Sequence, residues 1–370
     1  MWKSFTPPGW LWQPGCRIYF RQPGCLFLLV FSGVEYYHIY ISNEAEHGKT
    51  VEEGYGVIQV KVKVILNPVA GRGRALKAKP QILKALLAYN AELHLEETKG
   101  DYHATEIARQ AVRAGFDLIV VAGGDGTINQ VVNGLGEERI PIGIIGCGTG
   151  NDFARALGMP ADPVAAVHRV MTGETQLVDL CRVNQRYFVS SVGIGFDGEV
   201  AFHANRGFRW VRGKTAYLCS IFKTLFSYRA QRIKLTVDGL VMEFNSLLVA
   251  VTNSPTYGGG YKINPEALIN DGLFDVCAVQ YMSRPEIIAC LPLLLPGWHR
   301  SLKKVRMAKG RSITVESAEP FYYQLDGEVL TDKSLRFTML PRALAVKGAR
   351  VEPLSGLEVA EEKPARAKEA

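Results

Sequence analysis

The stretch VVAGGDGTIN, residues 120–129, decides the fold of this chain. The apolar residues 118–122 predict a buried strand, which ends at Gly123 and Gly124. Apolar side chains then recur at helical spacing, at Ile128, Val131, Val132 and Leu135. Paired glycines let the backbone approach a ligand without Cβ clash, and the N-terminus of the helix that follows favours anions. The stretch therefore predicts a phosphate-binding turn, in which Asp125 suits a divalent cation.

Two further stretches show the same order of strand, glycine loop and helix: VILNPVAGRGR at 64–74 and IGIIGCGTGNDFAR at 142–155. Asn151 or Asp152 is the expected N-cap of the helix after the second loop. Three such units predict a parallel α/β sheet with its loops at the carboxyl ends of the strands, where such sheets bind nucleotides. A tight turn without a ligand is the alternative for one Gly-Gly pair alone. Neither the Walker A spacing nor the dinucleotide-binding pattern occurs, so another class of nucleotide site is predicted.

Composition bounds the possibilities. The 370 residues are 47% hydrophobic, which is enough for two domains with cores of their own. The net charge of +7 favours anionic partners such as phosphates, nucleic acid or acidic lipid. The seven cysteines form no C-x-x-C pair, which argues against zinc and disulfides and fits a reducing cytoplasm. No apolar run reaches the roughly 18 residues of a membrane-spanning helix.

The two ends of the chain differ from its middle. Residues 1–56 hold three of the five tryptophans and show no lasting helical or strand period. Their apolar run at 25–34 resembles the core of a signal peptide, but no convincing cleavage site follows it. We therefore expect residues 1–56 to be a mis-annotated or disordered leader, with translation starting at Val57. The tail at 350–370, rich in Glu, Lys, Ala and Pro, is predicted to be disordered.

After Asp179 the pattern changes to strands separated by Asp-Gly and Asn-Asp-Gly turns. Helical stretches are predicted near 213–227 and 284–295. The predicted strands are 187–192, 232–237, 243–252, 274–280, 312–316, 321–325 and 335–339. The domains we expect are an α/β nucleotide-binding domain at 57–180, an antiparallel β domain at 181–334, and strands at 335–349 that return to the first domain.

Three motifs resemble the catalytic family of the diacylglycerol kinases, most closely its soluble bacterial branch. They are Asn67-Pro-x-x-Gly71, Gly123-Gly-Asp-Gly-Thr127 and Gly148-Thr-Gly-Asn-Asp-Phe-Ala-Arg155. The likeness covers about residues 58–346 and continues through Asp179, Gly193-Ile-Gly-Phe-Asp197, Asn270-Asp-Gly272 and Asp326-Gly-Glu328. It implies an α/β fold in which a parallel-sheet nucleotide-binding domain like that of NAD kinases and diacylglycerol kinases precedes an antiparallel β-sandwich domain. The active site would lie between the two.

The resemblance also implies roles for individual residues. Glu328 matches a general base that takes the proton of a lipid hydroxyl, although an exposed residue after a type I′ hairpin is the alternative. Asp125, Asp152 and Asp179 resemble a carboxylate–water network that holds catalytic Mg²⁺, although Asp152 could instead only cap a helix. The positions that match nucleotide contacts are Asn67, Pro68, Gly71, Thr98, Gly123, Gly124, Asp125, Gly126, Thr127, Asn129 and Thr149.

The resemblance implies a second Mg²⁺ near Asn270-Asp-Gly272. Its ligands would be the main-chain carbonyls of Leu268 and Leu273 and the side chain of Asp271. These hard oxygen ligands suit Mg²⁺ better than a transition metal. An ordinary Asn-Asp-Gly turn is the alternative for this segment.

Two stretches combine aromatic and basic side chains in the way that a membrane-interface surface requires. One is 202–234, which includes Arg209 and Arg212, and the other is 291–311, which includes Trp298. Buried helices with solvated basic faces are the alternative. Nucleic-acid binding could use the same composition, but no recognised nucleic-acid motif accompanies it.

These patterns and the resemblance together predict a cytoplasmic, peripherally membrane-associated lipid kinase that uses ATP and Mg²⁺ to make phosphatidic acid from diacylglycerol. The expected partners are ATP, a membrane-resident lipid and an anionic membrane surface, without nucleic acid; an oligomer is left open. A kinase of a sphingoid base, ceramide or another lipid alcohol is the closest alternative. Residues 152–155 and 326–328 argue against an NAD kinase. The intact Asp125, Asp152, Asp179 and Glu328 argue against a catalytically silent lipid-binding protein.

Overall fold

A computed structural model describes residues 60–206 and 214–351, except for the side chains of 205–218, together with the backbone of three strands within residues 16–41. The chain divides into two units, 1–57 and 58–370. The smaller unit contains a three-stranded antiparallel sheet. Its strands are β1 (Cys16–Arg21), β2 (Leu26–Phe31) and β3 (Tyr37–Ile41).

The expectation that no strand period persists in residues 1–56 is wrong for β1–β3. Their aromatic and β-branched residues suit strands, and a short apolar run such as LFLLVF in β2 fits a strand as well as a signal-peptide core. The rest of this leader, and with it the predicted start at Val57, lies outside the described residues. The predicted tail does so too from residue 352 onward.

The larger unit begins with strands that alternate with helices. Its first elements are β4 (Lys61–Leu66), α1 (Ala70–Leu87), β5 (Glu92–Glu97), α2 (His103–Arg113), β6 (Leu118–Gly123), α3 (Asp125–Leu135), β7 (Ile142–Gly146), α4 (Asp152–Ala156) and α5 (Pro163–Thr172). The strands lie in the order β5-β4-β6-β7 and pair in parallel. Every residue of β6 is buried, as expected for a central parallel strand. The carboxyl ends of these strands therefore lie at one edge of the sheet.

The second half is mostly β structure, and among the described strands its pairs are antiparallel, except where β16 meets β7. Its elements are β8 (Thr175–Val183), β9 (Arg186–Phe188), β10 (Ser191–Gly195), α6 (Phe196–Arg206), α7 (Lys214–Ser227), β11 (Gln231–Val237), β12 (Leu240–Thr252), β13 (Phe274–Gln280), α8 (Arg284–Cys290), 3₁₀ turns at Leu291–Leu294 and Trp298–Ser301, β14 (Val305–Gly310), β15 (Ser312–Leu325) and β16 (Glu328–Lys347). Helix α6 and strands β8 and β14 are absent from the sequence-based prediction.

Strand β16 connects the two halves. It pairs antiparallel with β15 and β8, and near its end Val346 is the parallel register partner of Ile142 in β7. The described strands of the larger unit thus form one mixed sheet of 13 strands, so a parallel sheet is an incomplete description that fits β4–β7 only. The strands expected at 335–349 to return to the first domain correspond to the later part of β16. Hydrophobic periodicity shows which face a strand buries and not which strand lies beside it, so it could not identify β7 and β8 as their neighbours.

Three buried clusters support this architecture. One underlies the parallel strands, a second fills the β half, and a third lies beneath α7, α8 and the 3₁₀ turns. In the second cluster Phe188, Phe274 and Phe337 pack around one another with ring centroids 6.0–6.1 Å apart. In the described part of the chain, no helix is both long and apolar enough to cross a membrane.

Candidate active site

The three glycine loops meet at the carboxyl edge of the parallel strands. Asn67 donates from Nδ2 to Thr127 Oγ1 at 2.9 Å, which ties the first loop to the second. A Cβ on Gly71 would lie 2.0 Å from the carbonyl oxygen of Cys147, and a Cβ on Gly148 would lie 2.4 Å from the Cα of Gly124. Because no side chain fits at these contacts, glycine is required for the loops to approach one another.

The carboxylates of Asp125 and Asp152 lie on the same side of Gly150, where a Cβ would project. A Cβ on Gly150 would lie 2.9 Å from Asp125 Oδ2 and 3.1 Å from Asp152 Oδ2. Asp125 accepts from the Phe153 N–H. Burial, together with the neighbouring carboxylate of Asp152, raises the pKa of Asp125 to about 6. A cation between these two carboxylates would relieve the repulsion between their negative charges.

Asp152 is not a simple helix cap. Its oxygens accept from Thr256 Oγ1 at 3.1 Å and from the Gly259 N–H at 2.7 Å, and Arg155 pairs with it at 2.6 Å. Asn151 occupies the N-cap position of α4, but its side chain bonds back to the carbonyls of Gly146 and Gly148. Asp152 therefore connects the α/β half to a glycine-rich loop of the β half.

A cavity of about 480 Å³ contains both carboxylates. Its volume falls within the range of small-molecule sites. Thr149 and Gly150 lie on the side of the glycine loops. The β half contributes a largely apolar wall, formed by Ala201, Ala204, Tyr257, Tyr261 and Leu295. The cavity thus places carboxylates at one end of an apolar surface, an arrangement that accepts an amphiphilic molecule.

Asp326 lies in the floor of this cavity and binds several main-chain donors. Its oxygens accept from the N–H groups of Val189, Ser190 and Ser191, and from Asn129 Nδ2. Burial raises the pKa of Asp326, and these donors oppose that effect by stabilising the charge. Asp326 fixes the β15–β16 turn onto the connection between β9 and β10, a role that the motif did not reveal.

Glu328 is the first residue of β16. The turn before it has positive φ at both Asp326 and Gly327, which matches the type I′ hairpin considered as the alternative. Its carboxylate is nevertheless held by two side chains: Tyr102 Oη donates at 2.7 Å, and Arg186 lies at 2.8 Å. Neither residue was among the sequence candidates, and no motif marks them.

The cavity beside Glu328 adjoins the first one. It measures about 570 Å³ and shares Asp326 and Gly327 with the 480 Å³ cavity. Gly126 and Asn129 of the central glycine loop also line it. Glu328 and the Asp125–Asp152 pair therefore lie in adjoining cavities, on either side of one hairpin turn.

Asp179 does not join the other carboxylates. It is fully buried in β8, and its oxygens accept from the N–H groups of Gly272 and Arg342 at 2.7 and 2.8 Å. Burial raises the pKa of Asp179 to about 6 although these bonds oppose the shift. Since Asp179 lines neither cavity, its contacts are those of an anchor between β8, the loop before β13, and β16.

The remaining nucleotide candidates are distributed around the loops. Pro68 is half-buried directly after Asn67, and the N–H of Thr98 donates to Leu66 O at 2.9 Å beside the first loop. Asn129 is buried between Asp326 and the carbonyl of Tyr187. Thr98 thus lies beside the first loop but lines neither cavity.

The residues of the implied second metal site lie apart from both cavities. Asp271 Oδ1 accepts from the Leu273 N–H at 3.0 Å, and its Oδ2 lies 3.4 Å from Lys309 Nζ. Leu268 and Leu273 are half-buried in the same loop. The Lys309 ammonium therefore lies beside the only side-chain ligand that the motif supplies.

Comparison with known proteins identifies the family. Residues 61–183 match the diacylglycerol kinase catalytic domain, and residues 190–348 match a C-terminal β-sandwich-like domain of the NAD kinase type. A diacylglycerol kinase of Bacillus subtilis is 33% identical over 273 residues, which are 72% of this chain and 89% of that protein. One of Mycobacterium tuberculosis is 33% identical over 294 residues, which are 77% of this chain and 94% of that protein.

A solved structure agrees with these sequence matches. The crystal structure of a diacylglycerol kinase from Bacillus anthracis superposes with a TM-score of 0.62 at 25% identity, covering 80% of this chain and 99% of that one. The chain belongs to the diacylglycerol kinase family. It is accordingly a lipid kinase, a phosphotransferase with an alcohol group as acceptor.

Proposed function

We propose that this kinase transfers the γ-phosphoryl group of ATP to the hydroxyl of diacylglycerol and so produces phosphatidic acid. The observation that carries the proposal is the arrangement of charged residues: the Asp125–Asp152 pair lies beside the glycine loops, and Glu328 lies across the Asp326–Gly327 turn. Phosphoryl transfer needs positioned phosphates, neutralised charge and a base for the attacking hydroxyl. The names of the relatives supply the acceptor, diacylglycerol.

In this proposal the glycine loops bind the phosphates of ATP. Asn67, Gly124 and Thr127 bring main-chain and hydroxyl groups to the N-terminus of α3, where an anion is stabilised. Asp125 and Asp152 fit Mg²⁺ because both offer hard oxygens on the same side of Gly150. The bound ion would neutralise phosphate charge.

The apolar wall of the 480 Å³ cavity is where we place the acceptor lipid. Leu295 lines this cavity and is also 58% exposed, so the wall continues onto the surface. Glu328 would take the proton of the hydroxyl from its place beyond the Asp326–Gly327 turn. Tyr102 and Arg186 would orient its carboxylate until the acceptor arrives.

The test is transfer of radiolabelled phosphate from ATP by the purified protein, with and without Mg²⁺, to a panel of diacylglycerol, a sphingoid base, ceramide and NAD. The proposal expects labelled phosphatidic acid as the main product and no product with EDTA. If a sphingoid base or ceramide were phosphorylated in preference, the protein would still be a lipid kinase, but its acceptor would not be diacylglycerol. Labelling of NAD alone, or no labelled product, would contradict the proposal.

We further propose that the exposed apolar side chains near Leu295 contact the membrane. Helices α7 and α8 and the 3₁₀ turns pack on one core cluster and leave apolar side chains outside, namely Phe222, Phe226, Ile288, Leu295 and Trp298. Lys223, Arg284 and Arg300 are exposed on the same segments and suit anionic lipid. Of the predicted basic residues, Arg209 and Arg212 lie outside the described residues.

Vesicle sedimentation tests this surface. The variant Phe226→Ser with Trp298→Ser should bind anionic vesicles several-fold more weakly and lose activity on bilayer substrate, while short-chain soluble diacylglycerol is still phosphorylated. The matched control is Leu87→Ser with Leu240→Ser, which also replaces two exposed apolar residues. Equal binding by both double variants would contradict this docking surface.

A further inference from the structure

One charged cluster belongs to neither cavity. Lys309 Nζ lies 3.3 Å from Asp275 Oδ1, 3.4 Å from Asp271 Oδ2 and 3.3 Å from the carbonyl oxygen of Glu266. Asp275 and Lys309 are register partners on β13 and β14, an opposite-charge pair across the ladder. The cluster therefore joins the loop before β13 to the edge strand β14.

Burying the carboxylates of Asp271 and Asp275 costs free energy unless a cation lies beside them. The side chains of Asp271 and Asp275 are only 3% and 7% exposed, whereas that of Lys309 is 38% exposed. A buried carboxylate needs a counter-charge or hydrogen-bond donors. A lysine side chain is a cation at neutral pH, so Lys309 supplies this counter-charge.

This donor set does not fit a divalent ion. Asp271 is the only side-chain ligand that the family pattern supplies here, and it already contacts Lys309 and the Leu273 N–H. Mg²⁺ requires oxygens at about 2.0–2.1 Å in octahedral geometry. An ammonium within 3.4 Å of both carboxylates competes for the same oxygens and repels the ion.

We propose that Lys309 is a built-in cation that takes the structural place of a divalent metal in the loop before β13. The loop is then held without metal, because the ammonium bridges Asp271, Asp275 and the Glu266 carbonyl. Removing the ammonium turns the same oxygens into a vacant divalent-cation site. Asp275 Oδ2, which is buried and has no hydrogen-bond partner among the described residues, becomes available as a further ligand.

The experiment follows thermal unfolding of the nucleotide-free full chain in EDTA and in millimolar Mg²⁺ or Ca²⁺. Lys309→Met should lower the Tm in EDTA. When the metal is added, the Tm of this variant should rise by at least about 3 °C more than that of wild type. Lys304→Met is the matched control, since Lys304 also pairs with a carboxylate, that of the exposed Glu286. Metal bound at Asp125 and Asp152 affects all variants equally, so the difference between variants is the measured quantity.

A third variant tests the ligands themselves. Adding Asp271→Asn to Lys309→Met should abolish the extra metal-dependent gain. The proposal is overturned if wild type gains as much as Lys309→Met, or if Lys309→Met neither loses Tm in EDTA nor gains it with metal. If Lys309→Met does not fold, Asp275→Asn in that background should restore folding by removing a buried charge, and failure to restore it would also overturn the proposal.

Discussion

Two Asp-Gly turns in this kinase share a sequence and differ in use. Asp125-Gly126 follows β6, Asp326-Gly327 follows β15, and a Cβ on Gly126 would lie 3.9 Å from the carbonyl oxygen of Asp326. Asp326 accepts four hydrogen bonds from donors on α3, on the connection between β9 and β10 and on the first residue of β10, and both of its oxygens are occupied. Asp125 faces a cavity and a second carboxylate. The Asp-Gly motif alone therefore does not separate an aspartate that anchors a turn from one that faces the cavity.

The largest effect on activity should come from Glu328, which directly follows the Asp326–Gly327 turn. Glu328→Gln keeps the shape of the side chain and removes its basicity, so turnover should fall by about 10²–10⁴ while ATP binding persists. Glu137→Gln is a matched control, because Glu137 also lies beside a tyrosine and an arginine, Tyr187 and Arg182. Steady-state kinetics measures both variants. If Glu328→Gln kept more than half of wild-type turnover, Glu328 and the Asp326–Gly327 turn before it would have only a structural role.

The two aspartates should respond in opposite ways to the same substitution. Asp125→Asn should lower activity by about 10–100-fold, because the proposed Mg²⁺ site would lose one of its two carboxylates. It should also raise the free energy of unfolding at pH 7.5 by on the order of 2 kcal/mol, because it removes a charge whose pKa is raised to about 6. Asp326→Asn should instead destabilise the fold by about 1–3 kcal/mol, since an amide NH₂ would face N–H donors.

Denaturant unfolding and kinetics on both variants check this pair. Asp117→Asn is the control, because Asp117 is an aspartate that accepts an exposed hydrogen bond from the main-chain N–H of Lys61. If both substitutions destabilise the protein equally, the distinction between anchor and reactive carboxylate does not hold.

A pH titration of the metal-free protein sharpens the comparison. The pKa of Asp125 is raised from 3.8 to about 6, so the folded state binds more protons than the unfolded state between these values. Stability contributed by this group is therefore present below about pH 4 and is lost as the pH rises through about 6. Asp179 and Asp275, also raised to about 6, add slopes of the same sign. In urea unfolding from pH 4 to 7, Asp125→Asn should flatten part of this decline; an unchanged slope would contradict the assignment.

The sequence revealed one half of the site more fully than the other. Strand, glycine turn and helix are local features, so the three loops and the position of Asp125 could be predicted from residues 120–129 and their two counterparts. The contacts of Asp152 with Thr256 and Gly259 connect residues about a hundred positions apart, and no local period reports them. For the same reason Asp179 could be matched to a motif while its role as an anchor to Gly272 and Arg342 remained hidden.

Arg186 is the clearest example of a site residue that the sequence could not reveal. It lies in a short strand, β9, without any motif, yet its guanidinium lies 2.8 Å from Glu328 Oε2. Burial would lower the pKa of Arg186, but Glu328 and Tyr102 outweigh it and raise the pKa. Arg186 is placed beside the hairpin because the residues directly after β9, Val189 to Ser191, donate their N–H groups to Asp326 in the turn.

The smallest effect should come from Tyr102, which holds the other oxygen of Glu328. Tyr102→Phe removes one hydrogen bond to a charged group, worth about 1.5–3 kcal/mol when fully formed and less at this half-exposed site. Without it the Glu328 carboxylate is less well oriented, so kcat should fall several-fold while the KM for ATP stays unchanged. Tyr89→Phe is the control, because Tyr89 lies beside α5, against His168, and lines neither cavity. A merely structural Tyr102 would lower the Tm and leave kcat unchanged. A lower kcat with an unchanged Tm would instead show that Tyr102, in the first half of the chain, orients the Glu328 carboxylate.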